Sequence, residues 1–287
     1  MQRGRVHSVW QRNGYTADTQ QMTDLMNDFD GQVVVVTGAS RGLGRGCAEA
    51  FAARGAEVVL VSRGAAELEQ VAAVLRAGGA RARAMPCDVT DPAAVEALFA
   101  ALPRCDVLVN NAGGNKPMPF VEVPLETLDH LLDLNVRSMF VTAQAAVRLM
   151  LRQAPRPTST AAAAASAKPV RGAIVHMSSQ MGHVGAPNRT VYCMTKAAIE
   201  GLTRAMAVEL APHGIRVNSV APTYVETPLT RPFFENAAFR EDTLRRIPLG
   251  RIGTIEEVSA AVAFLASPAA SLITGTSLLV DGGYTAQ

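Results

Sequence analysis

Val33-Val34-Val35-Val36-Thr37-Gly38-Ala39-Ser40-Arg41-Gly42-Leu43-Gly44 is the stretch that decides how the rest of this chain reads. Its β-branched start reads as a buried strand. The strand breaks straight into glycines, and a helical pattern follows over residues 43–53. Glycine has no Cβ, so a chain of glycines can turn tightly and approach a phosphate closely. Free N–H groups and the dipole at a helix N-terminus supply positive potential at that point. Strand, glycine turn and helix in this order form a candidate phosphate cradle, with a glycine-rich turn that holds no ligand as the plain alternative.

Working outward, short apolar runs alternate with Ala- and Leu-rich helical stretches. Strand patterns fall at residues 33–36, 58–61, 81–85, 107–109, 173–177, 216–220 and 277–280. Helical patterns fall at 43–53, 65–75, 93–101, 125–151, 191–210 and 255–265. This rhythm predicts βαβ units and an α/β fold, a single-domain Rossmann architecture with a doubly wound, seven-stranded parallel sheet over residues 31–287. Two segments break the rhythm. Residues 1–30 are polar and aperiodic, with Arg3, Arg5 and Arg12 ahead of the first acid, Asp18. They read as a disordered tail, with a weak targeting segment, a partner-binding arm or misassigned upstream sequence as alternatives. Residues 152–171, rich in Ala, Pro, Ser and Thr, read as a flexible insertion, because an isolated helix as short as its alanine run is marginal in water.

Composition narrows the function classes. The 287 residues are 48% hydrophobic and 18% charged, with a formal charge of +2. Charges of both signs are interspersed, so no basic face points to nucleic acid or a membrane surface. Cys47, Cys87, Cys105 and Cys193 are scattered, with no C-x-x-C pair and no histidine cluster, so neither a metal site nor a disulfide framework is expected. No apolar run is of membrane-spanning length, and residues 1–10 lack the core of a signal peptide, so a soluble cytoplasmic protein is expected.

The glycine spacing differs from G-x-G-x-x-G and has the form T-G-x-x-x-G-x-G at Thr37, Gly38, Gly42 and Gly44. In this the sequence resembles the short-chain dehydrogenase/reductase family, from about residue 31 to the C-terminus. Cys87-Asp88-Val89 and Asn110-Asn111-Ala112-Gly113 match further family motifs. The resemblance implies a nicotinamide cofactor held by Gly38, Ser40, Arg41, Gly42, Leu43 and Gly44, by Asp88 and Val89 near the adenine, and by Asn111, Ala112 and Gly113. Cofactor choice has a physical handle. An acid after the second strand would bind a ribose 2′-hydroxyl and repel a 2′-phosphate. Ser62 and Arg63 stand there instead, and Arg63 with Arg41 offers two guanidinium groups suited to phosphate. NADP(H) is therefore expected, with NAD(H) also admitted; both arginines as ordinary solvated residues is the alternative.

Carbonyl reduction needs a proton donor, a group that polarises the oxygen, and a way to lower a phenol's pKa from about 10. Tyr192 and Lys196 lie four apart at a predicted helix start, so they share a face, and a nearby ammonium favours the phenolate. The resemblance assigns Ser179 as the serine that binds the substrate oxygen, in preference to Ser178, because it lies thirteen positions before Tyr192. It also assigns Asn135 to hold a water between Lys196 and solvent, against a plain helix-kink or capping asparagine. Tyr192 and Lys196 would touch the cofactor as well. Pro222, Val225 and Thr227 would line the nicotinamide. Thr223 departs from the family's Pro-Gly, and because threonine disfavours positive φ, a shifted loop path is expected. Residues 228–246 resemble a substrate lid with Phe233 and Phe234 as wall candidates, or as residues that dock the lid on the core.

His183, Asn188 and Arg189 would stand at the pocket mouth, suiting a hydroxylated or carboxylate substrate, unless they are solvated loop residues. The run from Ser179 to Glu200 resembles sugar and sugar-acid dehydrogenases such as gluconate 5-dehydrogenases. A 3-oxoacyl thioester reductase is the alternative substrate class, and a non-catalytic nucleotide-binding scaffold the alternative function. The C-terminal segment, residues 272–284, resembles the family's tetramer interface, so a homotetramer is expected, with a dimer if the insertion interferes.

Overall fold

The computed structural model describes residues 28–156, 170–227 and 230–287, apart from the side chains of residues 232 and 233. Most of the predicted leader and the alanine run of the insertion lie outside the described residues. The wholly buried strand β1 (Val33–Thr37) is followed by α1 (Gly42–Ala52), β2 (Glu57–Ser62), α2 (Ala65–Ala77), β3 (Arg81–Pro86) and α3 (Pro92–Ala100). Next come β4 (Val107–Asn110), α4 (Leu125–Leu132), α5 (Ser138–Arg152), β5 (Gly172–Met177) and α6 (Thr190–Leu210). The chain ends with β6 (Ile215–Pro222), α7 (Arg231–Phe234), α8 (Ala237–Arg245), α9 (Ile255–Ala266) and β7 (Ser277–Val280).

All seven strands are parallel in the order β3-β2-β1-β4-β5-β6-β7. Strands that are apolar on both faces need cover on both faces. Leu68 and Val71 of α2, Phe51 of α1 and Val262 of α9 supply it on one side. Phe99 of α3, Met150 of α5 and Leu210 of α6 supply it on the other. The fold is the predicted doubly wound Rossmann domain. Because β1 pairs with both β2 and β4, the strand order reverses there, and the crevice at the carboxyl ends of β1 and β4 is where such sheets bind ligands.

Three local features differ from the sequence reading. The helix predicted over residues 125–151 is interrupted by a π-helical turn, Asp133–Arg137, which carries the buried Asn135. The domain begins before residue 31: Phe29 is fully buried, edge-on to Phe51 at 4.8 Å, with Arg54 over its ring. The insertion is also fixed at both roots. Arg156 and Val170 form an antiparallel bridge, and the buried Gln153 bonds Cys105 N, Cys105 O and Arg171 O.

The root is held by Asp106, just ahead of β4. Its carboxylate accepts from Val33 N at 2.8 Å, from Arg104 Nη2 at 2.6 Å and from Arg156 Nε at 2.8 Å. Burial by itself would raise its pKa, but the bonds from Arg156, Arg104 and Val33 hold it below the ordinary carboxylate value. No helix among the described residues is long and apolar enough to cross a membrane. Replacing Asp106 with Ala strands one buried N–H and two guanidinium groups, and is expected to cost about 2–4 kcal/mol, read as a lower urea midpoint. The carboxylate's contribution is present above its unfolded-state pKa and fades as pH falls through its lowered native value, so the difference between wild type and variant should shrink in acid.

Candidate active site

The crevice between β1 and β4 is built around Thr37 and Asn111. Thr37 Oγ1 accepts from Asn111 N at 2.9 Å and from Ala112 N at 3.0 Å, while Asn111 Nδ2 donates to Thr37 O at 2.9 Å. The glycine loop leaves β1 with Gly38 at φ +66° and Gly42 at φ +55°. A Cβ on Gly44 would lie 2.3 Å from Gly38 O and 2.6 Å from Asn111 Nδ2. The loop is therefore closed against Asn111 at the start of α1. Thr227 stands across the loop, its Cβ 3.8 Å from where a Gly42 Cβ would be.

Ser40 is half-buried and Leu43 lies in the first turn of α1. Arg41, the N-cap of α1, and Arg63, just past β2, are exposed and form no ion pair among the described residues. Ser62 Oγ is buried with no partner. Asp88 is held low by two bonds from Thr90 and, more weakly, by the charge of Arg63, and Val89 beside it is buried. Gly113 abuts Asn135, whose Oδ1 would lie 3.1 Å from an added Cβ. An unpaired pair of arginines, an orphaned serine hydroxyl and a cradle that a Cβ would fill all fit a phosphorylated dinucleotide.

The chemical end lies at the carboxyl end of β5. Ser179 caps a short 3-10 turn, its Oγ accepting from Met181 N at 3.2 Å, whereas the buried Ser178 Oγ has no partner. One turn of α6 sets Lys196 Nζ 5.6 Å from the centre of the Tyr192 ring. Asn135 ties the next layer together: Oδ1 accepts from Gly114 N at 2.8 Å, and Nδ2 donates to Gly114 O at 2.9 Å and Thr195 Oγ1 at 3.2 Å. Asn135 is thus both the residue of a helix irregularity and a clamp on the site, and its amide protons are already used, which leaves only Oδ1 with acceptor capacity for a water.

Two expectations are corrected. Lys196 was expected to lower the Tyr192 pKa, but its Nζ donates to Met177 O at 2.7 Å. Burial raises the phenol's pKa, and the Ser179 hydroxyl and then the Arg189 charge are what pull it down. Burial also brings Lys196 down to about 8 against the opposing charge of Glu200. His183 was placed at the pocket mouth, but its ring is tied to β7, with Nε2 2.9 Å from Ser277 Oγ.

Thr223, outside the positive-φ region, is held by a bond to Val280 O at 3.1 Å. Pro222 ends β6, and Val225 and Thr227 are buried. Phe234 meets Tyr224 edge-on at 6.0 Å and Phe239 at 5.7 Å, which docks the lid on the core; the Phe233 side chain lies outside the described residues. Arg189 is half-buried without an ion pair among the described residues, and its charge reaches both Tyr192 and Tyr224. Asn188, at φ 59°, anchors that loop by accepting Met118 N at 3.0 Å.

A family model described as enoyl-(acyl carrier protein) reductase matches residues 38–285. The chain belongs to this short-chain dehydrogenase/reductase family. D-threitol dehydrogenase of Mycolicibacterium smegmatis is 36% identical over 92% of the chain and 98% of that protein. L-xylulose reductase of Bos taurus is 38% identical over 89% of the chain and 97% of its own length. A gluconate 5-dehydrogenase from Burkholderia cenocepacia, solved with NADP and tartrate, is 32% identical, with a TM-score of 0.82 over 92% of this chain and 99% of that one. This short-chain dehydrogenase/reductase is an oxidoreductase by membership.

Sequence reasoning missed Gly114 and Thr195, the two partners of Asn135, since neither carries chemistry of its own. Among the described residues no cluster of acids, histidines and cysteines is arranged to hold a metal. The cysteines are free thiols; Cys47, Cys87 and Cys105 are buried, and burial pushes Cys47 up to about 12. Gly44→Ala is expected to force the loop off Asn111 and weaken dinucleotide binding about 10- to 100-fold by calorimetry, equivalent to about 1–3 kcal/mol of overpacking. Gly185→Ala, whose Cβ meets nothing within 4 Å, should bind like wild type.

Proposed function

We propose that this enzyme interconverts a ketone and a secondary alcohol on a small hydroxylated substrate, a sugar, polyol or sugar acid, with NADP(H) as the hydride partner. The observation that carries the reading is the meeting of Ser179, Tyr192 and Lys196 at the end of β5, next to a closed glycine cradle with two unpaired arginines beside it. The cradle from Gly38 to Gly44 holds the pyrophosphate, and Ser62, Arg41 and Arg63 take the 2′-phosphate. Asp88 and Val89 flank the adenine. Asn111, Ala112 and Gly113 border the inner ribose, and Pro222, Val225 and Thr227 border the nicotinamide. The threitol, xylulose and gluconate activities in the names of its relatives favour a hydroxylated substrate over an acyl thioester.

When bound, the reduced cofactor supplies a hydride to the carbonyl carbon. Ser179 donates to the carbonyl oxygen and stabilises the charge that gathers there. Tyr192, kept protonated by burial, gives that oxygen its proton. Lys196 holds the ribose hydroxyls, the Ser179 hydroxyl and the Arg189 charge temper the phenol, and Asn135 keeps the helix turn beneath it in place. In oxidation Tyr192 takes the proton back.

The assembly in this reading is a cytoplasmic homotetramer. Apolar side chains that stand in solvent on α5 and α6, Phe140 and Val208, and at the C-terminal end, Leu272 and Leu279, support two self-association faces. Light scattering tests it, and a clean monomer would sink it.

Tyr192→Phe is expected to lower kcat by about 100-fold or more while leaving the NADPH Kd unchanged; a catalytically normal variant would refute the assignment. The panel should pair keto-sugars and sugar acids with β-keto thioesters. Arg63→Ala should raise the NADPH Kd about tenfold and leave the NADH Kd alone. Lys196 is charged below about pH 8 and neutral above it, so kcat/KM for reduction should fall as pH rises through that value.

A further inference from the structure

A buried polar group lies behind Lys196 that the chemistry above does not use. Glu200 is one helical turn beyond Lys196 on the same inward face of α6, and only 4% exposed. Both carboxylate oxygens are occupied: Ser219 Oγ donates to Oε2 at 2.8 Å and Ser277 Oγ to Oε1 at 3.0 Å. The two serines are register neighbours on β6 and β7. Because the Ser277 proton goes to Glu200, the Ser277 oxygen accepts from His183 Nε2 at 2.9 Å, and that nitrogen lies 3.5 Å from Glu200 Oε1. His183 in turn sits in the loop that follows Ser179.

Burying a carboxylate is costly unless its bonds and its charge are both answered. Two serine hydroxyls answer the bonds. The charge is answered by the groups packed around it. On its own helix Lys196 faces it, and from the loop after β5 His183 does so when protonated. Near Lys196 also stand Tyr192, from α6, and His176, from β5. His176 is fully buried, and burial followed by the Lys196 charge holds it down at about 3, so it is neutral and adds no second positive charge beside Lys196. Glu200 is therefore the acid that opposes the desolvation of Lys196. The two are not in direct ion-pair contact, so the coupling acts through a poorly screened interior.

We propose that Glu200 is a positioning residue for the reaction, the buried counter-charge that keeps Lys196 an ammonium, and that Ser219, Ser277 and His183 hold its carboxylate in place. The inference rests on the role assigned to Lys196 under the proposed function. It makes β6 and the edge strand β7 part of the active site's electrostatics although neither serine touches substrate.

The full-length protein has three lysines, Lys116, Lys168 and Lys196, so side-chain NMR of lysine-labelled protein can follow Lys196 directly without cofactor or turnover. In Glu200→Gln the Lys196 titration is expected to fall by about one pH unit below that of wild type. The alkaline limb of kcat/KM should move down by the same amount, and Glu200→Asp should restore both. An unshifted Lys196 in folded Glu200→Gln overturns the proposal. Should that variant not fold, Ser277→Ala, which frees one oxygen of the Glu200 carboxylate, is followed in its place, and an unshifted Lys196 there overturns the proposal equally. A wild-type protein that reduces no carbonyl overturns the proposed activity, whereas normal turnover with an unshifted Lys196 overturns the role of Glu200 alone.

Discussion

The bonds between Thr37 and the Asn111–Ala112 corner set the width of the crevice on which the rest of the site depends. Parallel strands β1 and β4 leave the sheet in opposite directions, and nothing in the sheet itself fixes how far apart their continuations stand. Thr37 offers one hydroxyl to two backbone N–H groups, and Asn111 returns a bond to the Thr37 carbonyl. Only a residue without a Cβ fits at Gly44 once that corner is closed. The cradle's shape is therefore a consequence of side-chain bonds from β4 as much as of the glycines.

A second layer sits one step away from the crevice. Asn135 spans from Gly114 after β4 to Thr195 on α6, and Thr195 passes a bond on to Tyr192 O at 2.8 Å. The π-helical turn that carries Asn135 trades regular helix bonding for this reach. The position of Tyr192 is thus referred back to the same corner that shapes the glycine loop, so Tyr192 and the glycine loop share one frame.

What was legible in the sequence were features whose chemistry is local along the chain. The β1 run with its glycines gave the sheet and the crevice, and Tyr192 with Lys196 gave a shared helix face from spacing alone. Partners brought together by the fold were not legible. Asp106 with Arg156, and Asn135 with Gly114 and Thr195, are ordinary residues until the strands align. The helix interruption at 133–137 was hidden because the apolar period continues through it. The direction of the Tyr192 shift was misjudged because proximity of charge is visible in spacing, whereas burial is a property of the folded surroundings. His183 was misplaced for a related reason: a loop residue near a catalytic serine can face either the substrate or the sheet, and Ser277, the group that settles it, lies 94 positions away.

The clasp at Asp106 also bears on where the insertion is attached. Arg156 and Val170 are joined at the amino-terminal edge of the sheet, whereas the chemistry occupies the opposite edge. Both roots are anchored to Asp106 and Gln153 by bonds that do not involve the segment between them. The stretch between them is thus hung from the end of the sheet that the site does not use.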